Sequence, residues 1–593
     1  MRYTSTNSSP GEGFYSSFEE AILQGFASDG GYFVPETIPK VSEETLAKWK
    51  SLSFTSLALE IVSLFVDSRE MSREELREVI DESYRHFPQA EEDGDDVVPL
   101  KLRKIPLEAL FDDEADLQRM RQAEGREGAG KRSIFLVELF HGPTLAFKDL
   151  AMGFLCNVMD FFLRRRGGGE RRHVMVATTG DTGPAAAFAC EGKQALDCWC
   201  LYPKGLISEQ QERQMTTLVG GNVHAVGVSA CPLGGDSLDE TVADLFGDSQ
   251  FASEVPLGSV NSVNWGRVLV QVVHYFFSFF RAAELRESGG GKAAGALFAV
   301  PTGGFGNALA GSIAKKMGLD VHRILCANNT NNSVCRVVHR GTFFKAQILE
   351  TLSSAIDIVV PYNFWRYLYL ATGRNGEKIS EWTKVFNSVS EKKEEATIRE
   401  TKEKEEEDAL EAAEQEHGAQ KCKSPPQTGG FQQVHLGDAC LSVVRSDFAA
   451  EAVEDSEVSD MILRVYKWTK ENEEKPLLLD PHAAVAVCAT IRLALGSGMH
   501  GEREGGPASG ALVPLQTLVL GTAHPAKFPK VAEQSLGFMP PEARHPTIES
   551  ARHRLHRSRQ ATWEGVRGEN VAELLKAEMK AVHRYRMERG DRK

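Results

Sequence analysis

Apolar, β-branched runs that end in a turn and hand over to helical periodicity recur along this chain, and that alternation most limits what it can fold into. SIFLVEL (133–139) leads through FHGPTLAFKD into LAMGFLCNVMDFFLRRR, HVMVATTGDTGPAAAFACEG (173–192) repeats the pattern, and ALFAVPTGGFGNALAGSIAKKMG (296–318) repeats it again. DCWCLYP (197–203), NVHAVGV (222–228) and HRILCA add further strand-like runs, and LLLDPHAAVAVCATIRLAL and LQTLVLGTAHPAKFPKVAE continue the series. Strands alternating with helices imply an α/β fold with mostly parallel sheets covered by helices on both faces.

The flanks read differently. Residues 1 to about 105 form a mainly helical N-terminal unit: SFEEAILQGFA and the segment from Ser42 to Val66 carry apolar residues at three- and four-residue spacing. SREELREVIDESYRHF adds an N-cap serine with acidic residues in the first turn, and SDGGYFVPETIP punctuates the unit as a loop. A hydrophilic loop at 121–132 precedes the α/β core, which is expected over 133–390 and 430–540. Between its halves lies a charged insertion at 391–429, whose stretch from Glu391 to His417 holds twelve acidic and five basic residues and too little apolar surface to offset its ordering entropy. RESGGGKAAG (286–295) and GSGMHGEREGGPASG (496–510) are smaller loop expansions, and 541–593 reads as a peripheral helical extension.

The totals narrow the partners. A length of 593 residues suggests three or four domains, and a net charge of −15 gives no support to binding nucleic acid or an anionic membrane. No apolar run reaches the length of a membrane span and the first residues carry no apolar signal core, so a soluble, cytoplasmic protein is expected, monomeric or homodimeric. The ten cysteines contain no C-x-x-C pair and read as buried free thiols in a reducing compartment.

Chemistry is expected where the strands end. Lys148 sits on a strand-to-helix turn beside the positive end of a helix dipole, which disfavours its ammonium form; it is either an amine able to form an imine or a surface lysine on a turn. In PTGGFGNALAG, Gly303, Gly304 and Gly306 let backbone approach a ligand and Asn307 opens the next helix, which makes either an anion nest for a phosphate or a tight structural turn. The stretch is not a dinucleotide fingerprint, because Leu309 stands at the third glycine position, and it lacks the Gly-Lys-Ser/Thr of a P-loop. TTGDTG (178–183) combines hydroxyls, glycines and an acid suited to a carboxylate or phosphate; alternatively it is a helix start capped by Asp181 or Thr182. Thr522 ends the run LQTLVLG, and Asn261 and Arg267 flank the start of a strongly apolar helix, where Arg267 offers a planar fork to a phosphate or lies on a surface. An imine-forming lysine, a phosphate nest, a second anion-binding turn and an isolated hydroxyl together suggest pyridoxal 5′-phosphate, whose aldehyde, phosphate and ring nitrogen need those groups.

SFEEAILQGFASDGGYFVPE, FHGPTLAFKD, ATTGDTGPAA, SVNSVNWGRV, VPTGGFGN, DPHAAVAV and GTAHPAKFP occur in the order found in the threonine synthases, which the chain resembles over most of its length. That resemblance implies the fold-type-II pyridoxal-phosphate architecture of the tryptophan synthase β-subunit group. It implies Lys148 as the Schiff-base lysine, Gly303, Gly304, Phe305, Gly306 and Asn307 as the phosphate cradle, and Thr522 as the partner of the ring nitrogen. Thr179, Gly180, Asp181 and Thr182 resemble the loop that receives the amino-acid end of the substrate, and Asn261 and Arg267 the pair that holds its phosphate. The family usually has asparagine where this chain has Gly304 and often serine where it has Thr179. The implied reaction converts O-phospho-L-homoserine and water to L-threonine and phosphate. A related phospho-lyase or amino-acid dehydratase would keep Lys148 and the nest.

Overall fold

The computed structural model describes the whole chain except residues 12, 90–98, 112–113, 123–132, 219, 233, 286–294, 389–431, 496–515, 552–553, 563–568 and 591–593. The charged insertion at 391–429 therefore lies outside the described residues, as do the loop at 496–510, nearly all of that at 286–295 and most of the hydrophilic loop at 121–132.

Two sheets organise the molecule. The larger has six strands in the order β13 (Phe448–Ala452), β10 (Val321–Asn328), β9 (Ala296–Pro301), β14 (Gln516–Gly521), β4 (Ser133–Glu138) and β3 (Lys101–Ile105). All neighbours are parallel except β3, which runs antiparallel to β4 at the edge. The smaller sheet is wholly parallel, in the order β15 (Arg559–Thr562), β7 (Val223–Ser229), β6 (Leu196–Pro203), β5 (Arg172–Ala177) and β8 (Leu257–Ser259). Two antiparallel pairs stand apart, β1 (Tyr3–Ser5) with β2 (Phe33–Pro35) and β11 (Thr342–Phe343) with β12 (Val434–His435).

Side chains alternate across each strand, and both faces are buried. Phe135 and Val137 of β4, Phe298 and Val300 of β9, and Val174 and Val176 of β5 all enter one shared cluster with the helices Lys148–Arg166 and Trp265–Glu284. Their alternate neighbours face outward to two separate clusters. Ile134, Leu136, Leu297 and Ala299 pack with the helices Asp455–Asn472 and Pro481–Leu495, and Met175, Trp199 and Leu201 pack with the helices Gly234–Gly247 and Glu569–Gly590. The two central helices are thus common to both sheets, which holds the carboxyl ends of the two sets of strands around one cleft.

Four expectations need correction. Lys101–Ile105, read with the helical N-terminal unit, is the edge strand of the larger sheet, its side chains mostly exposed or half-buried as an edge allows. SDGGYFVPETIP contains β2, which Tyr3 and its neighbours bind into a small ribbon. Leu477–Leu479, read as strand-like, is buried irregular chain feeding a helix, because Pro481 and the Asp480 side chain start the helix at once. The C-terminal extension is not merely peripheral: β15 lengthens the smaller sheet, and Val571, Leu575 and Met579 are buried against its outer face. The remaining N-terminal helices form as read, with Ser72 and Glu75 closing a reciprocal capping box at Arg73–Tyr84. No helix among the described residues is long and apolar enough to cross a membrane.

Candidate active site

Lys148 is the first residue of the helix Lys148–Arg166, ten residues past the end of β4. The loop between them is built by Asp149, whose carboxylate accepts from the Thr144 backbone N–H at 2.9 Å and the Thr144 hydroxyl at 2.6 Å. Burial pushes the Asp149 carboxyl up to about 6 against those bonds. Leu145 takes a positive φ of 61°, and Gly142 leaves room that a Cβ would fill, 2.5 Å from Asp149 Oδ2. The neighbouring loop after β14 clamps this one. The Phe147 N–H donates to the Thr522 carbonyl at 2.9 Å and the His524 N–H to the Leu145 carbonyl at 3.0 Å, so Thr522 and Lys148 are held on adjoining chain segments.

Because β9, β14 and β4 are neighbours at about 4.8 Å spacing, the turns that follow them meet at one sheet end. After β9, Phe305 adopts the left-handed conformation (φ 62°) and the helix Gly306–Met317 begins at Gly306. Its first backbone N–H groups have no intrahelical partner and face the strand ends. A Cβ at Gly303 would lie 2.9 Å from Ile358 Cδ1 and 3.1 Å from Ile356 Cα, whereas one at Gly304 would meet only Ser262 Oγ at 3.3 Å. Asn307 is buried; His274 Nε2–H donates to its Oδ1 at 3.0 Å, and its amide nitrogen has no partner. A buried, unspent amide beside a glycine-lined helix start is the donor set an anionic phosphate ester requires, so these residues fit the phosphate of pyridoxal phosphate.

The smaller sheet supplies the opposite wall. After β5, Asp181 occupies the N-cap position of the helix Thr182–Cys190 but makes no capping bond. Thr178 does that work instead, its hydroxyl accepting from the N–H groups of Gly180 and Gly183, both at 3.0 Å. Gly180 has φ +136° and lies where a Cβ would strike Gln211 Nε2. Asp181 is released to face two lysines, with Oδ2 3.6 Å from Lys148 Nζ and Oδ1 2.9 Å from Lys527 Nζ. Burial works to raise its carboxyl, but Lys527 and then Lys148 outweigh it and hold the group well below the usual carboxylate range. Burial pulls the Lys148 ammonium down; Asp181 opposes that, while Arg267 and Lys527 reinforce it. Thr179 donates to the Ala355 carbonyl at 3.3 Å, and the Ala355 N–H donates to His482 Nε2, whose ring is oriented by Asp480 at 2.8 Å.

Asn261 and Arg267, beyond β8, are both buried but do not bond each other. Asn261 spends an amide hydrogen on Asp239 at 2.5 Å, and Arg267 donates from Nη1 to the Val260 carbonyl at 2.9 Å. Asn261 Oδ1 and Arg267 Nε stay unpartnered, and burial lowers the guanidinium to about 10. Asn363 ties the two walls together, donating to the carbonyls of Ser262 at 3.0 Å and Gly304 at 3.2 Å. The described residues contain no His, Cys, Asp and Glu group able to hold a metal ion.

Lys527, Gln211, His274 and the Asp480–His482 pair escaped the sequence reading, and Thr178, inside the turn TTGDTG that it singled out, was given no role of its own. Lys527 and His482 lay inside GTAHPAKFP and DPHAAVAV, but burial, which separates a site lysine from a surface one, has no local signature.

An α/β fold with a largely enclosed lysine at one strand end and a glycine-lined helix start two strands away is that of a fold-type-II pyridoxal-phosphate enzyme, and residues 115–383 match the family described as pyridoxal-phosphate dependent enzyme. Residues 2–84 match the threonine synthase N terminus. The threonine synthase of Saccharomyces cerevisiae is 34% identical over 554 residues, spanning 90% of this chain and 89% of that protein. The crystal structure of threonine synthase from yeast superposes with a TM-score of 0.72 at 29% identity, covering 98% and 99% of the two chains. That of a PLP-bound threonine synthase from Brucella melitensis does so with a TM-score of 0.69 at 28% identity, covering 97% and 99%. The chain belongs to the threonine synthase family.

Proposed function

We propose that the residues around Lys148 carry out the threonine synthase reaction, in which O-phospho-L-homoserine and water give L-threonine and phosphate. The observation that carries this reading is a Lys148 amine, its side chain only 12% exposed, facing Asp181 between an anion cradle and a second anion-binding turn. Pyridoxal phosphate, when bound, supplies an electron sink for negative charge at the substrate α-carbon. The backbone of Gly303–Gly306 and the Asn307 amide would hold its phosphate, the Thr522 hydroxyl would serve its ring nitrogen, and the Lys148 amine would hold its aldehyde. A neutral hydroxyl at Thr522, in place of a carboxylate, would favour that nitrogen's unprotonated form.

With the substrate amine in its place, Lys148 Nζ would be a free base able to take the α-proton and later return it. Thr179, Gly180 and Thr182 receive the substrate carboxylate at the start of their helix, where the dipole favours an anion, and Asp181 orients Lys148. Arg267, with its unpartnered Nε, and Asn261 hold the phosphate that departs. A cytoplasmic location and a monomeric or homodimeric state complete the proposal; the nine described cysteines, all free thiols and eight of them buried, support a reducing compartment.

Lys148→Ala is expected to abolish phosphate release from O-phosphohomoserine and to remove the visible absorbance that the cofactor shows in the purified protein. Full turnover in that variant overturns the assignment.

A further inference from the structure

The site contains a second buried lysine that the reaction as described does not use. Lys527 is fully buried, and its ammonium donates to the Thr144 carbonyl at 3.0 Å and lies 2.9 Å from Asp181 Oδ1. Gln211 Nε2 donates to the same oxygen at 3.0 Å. The other carboxylate oxygen, Oδ2, has no hydrogen bond and faces Lys148 Nζ from 3.6 Å, near but not bonded. Two lysines therefore share one carboxylate, and the closer contact belongs to the lysine that does no chemistry.

We propose that Lys527 is a positioning residue for Lys148: with Gln211 it engages Asp181 through Oδ1, and so keeps that carboxylate from pairing fully with the reacting amine. A Lys148 ammonium locked against Asp181 would be a poor nucleophile and base, whereas a resident cation beside it favours the free amine. Through Thr144, Lys527 also fixes the loop that carries Lys148. Four other titratable or charged groups act on this set: the Arg267 guanidinium, which donates to the Val260 carbonyl, lowers Lys148 in the same sense as Lys527; His482, bound to Asp480 and Ala355, lowers Asp181; and Lys527 itself lowers Asp149, which accepts from Thr144, and His524, which accepts from the Ala526 N–H.

The inference rests on Lys148 as the reacting amine, and its test separates the two. In the full chain carrying Lys527→Met, two profiles are measured: the pH dependence of kcat for phosphate release by the cofactor-loaded protein, which reports the substrate complex in which the Lys148 amine is free, and the pH dependence of acetic anhydride labelling at Lys148 in the cofactor-stripped protein, read by mass spectrometry. Loss of the neighbouring cation and release of Asp181 both favour the Lys148 ammonium, so both acid limbs move to higher pH by roughly one unit or more, and Lys527→Arg restores them. Unmoved limbs in a Lys527→Met protein with native near-ultraviolet circular dichroism overturn the proposal. Should that variant fail to fold, Asp181→Asn decides: without the carboxylate both limbs move to lower pH, and limbs that stay or rise overturn it. If Lys148→Ala retains turnover, the reading of Lys148 fails; if it loses turnover while the Lys527→Met limbs stay in place, only the role of Lys527 fails.

Discussion

His274 decides which way Asn307 faces. Its Nε2–H donates to the Asn307 side-chain oxygen Oδ1 at 3.0 Å, which leaves the amide nitrogen at the start of the helix Gly306–Met317 with no partner. Burial keeps this histidine neutral, lowering it from 6.5 to about 4. An unfolded chain therefore takes up a proton near pH 6.5 that the native protein refuses until about pH 4. Stability contributed by the neutral ring is complete above that window and is lost as the pH falls through it, at about 1.4 kcal/mol per unit of separation. His274→Leu is expected to show a shallower loss of stability between pH 6.5 and 4.5 in urea titrations, and to bind pyridoxal phosphate several-fold more weakly, about 1 kcal/mol for one lost hydrogen bond. An unchanged pH slope would remove His274 from this role. The motif GGFGN was legible because glycines in a turn announce close approach. His274 was not, because HYFF inside an apolar helix looks the same whether the ring packs or positions a neighbour.

At the scale of elements, the helix Thr182–Cys190 is the one whose start has been given over to function. Asp181 stands at its N-cap position but its carboxylate turns to Lys148 and Lys527, and the capping passes to Thr178, three residues earlier. Thr178→Val keeps the shape and removes the acceptor for two N–H groups. It is expected to cost about 1–2 kcal/mol of stability, read as a lower urea midpoint, and to raise KM for phosphohomoserine more than it lowers kcat, because the loop that receives the substrate loses its anchor; Thr178→Ser should recover both. Equal loss in kcat alone would place Thr178 in the chemistry instead. The alternation of elements was legible because parallel strands buried on both faces read as continuous apolar runs bounded by glycine turns, unlike the helices between them. Leu477–Leu479 shows the limit: three buried leucines carry the pattern of a strand, yet they join neither sheet and pack in the cluster of the outer helices. β15 was hidden for the opposite reason, since RQAT is half-exposed at a sheet edge and has no apolar period to read.

For the whole molecule, the sequence showed where the core is interrupted, because a run with twelve acidic residues among twenty-seven cannot be buried. It could not show how the core closes around the interruption. The helix Gly376–Asn387 ends at Ser388, and the chain resumes at Gln432, whose N–H donates to the Ser388 carbonyl at 3.4 Å. Leaving and returning segments are thus adjacent, and Val434 and His435 then pair with Thr342 and Phe343 as β12 against β11. Among the described residues, the polar side-chain contacts of Lys148 and Asp181 run to each other, Lys527 and Gln211 and to no residue of either segment. Loop length between two neighbouring ends changes closure entropy only slowly, by about 0.6 kcal/mol for each doubling. Replacing residues 389–431 by a Gly/Ser linker of about six residues shortens the loop roughly sevenfold, a change on the order of 1–2 kcal/mol in favour of folding. The shortened protein is therefore expected to keep the cofactor absorbance and the KM for phosphohomoserine of the full chain, with a thermal midpoint equal or slightly higher. A collapse of the midpoint would show that the insertion packs on the core; an intact midpoint with altered KM would show that it reaches the site.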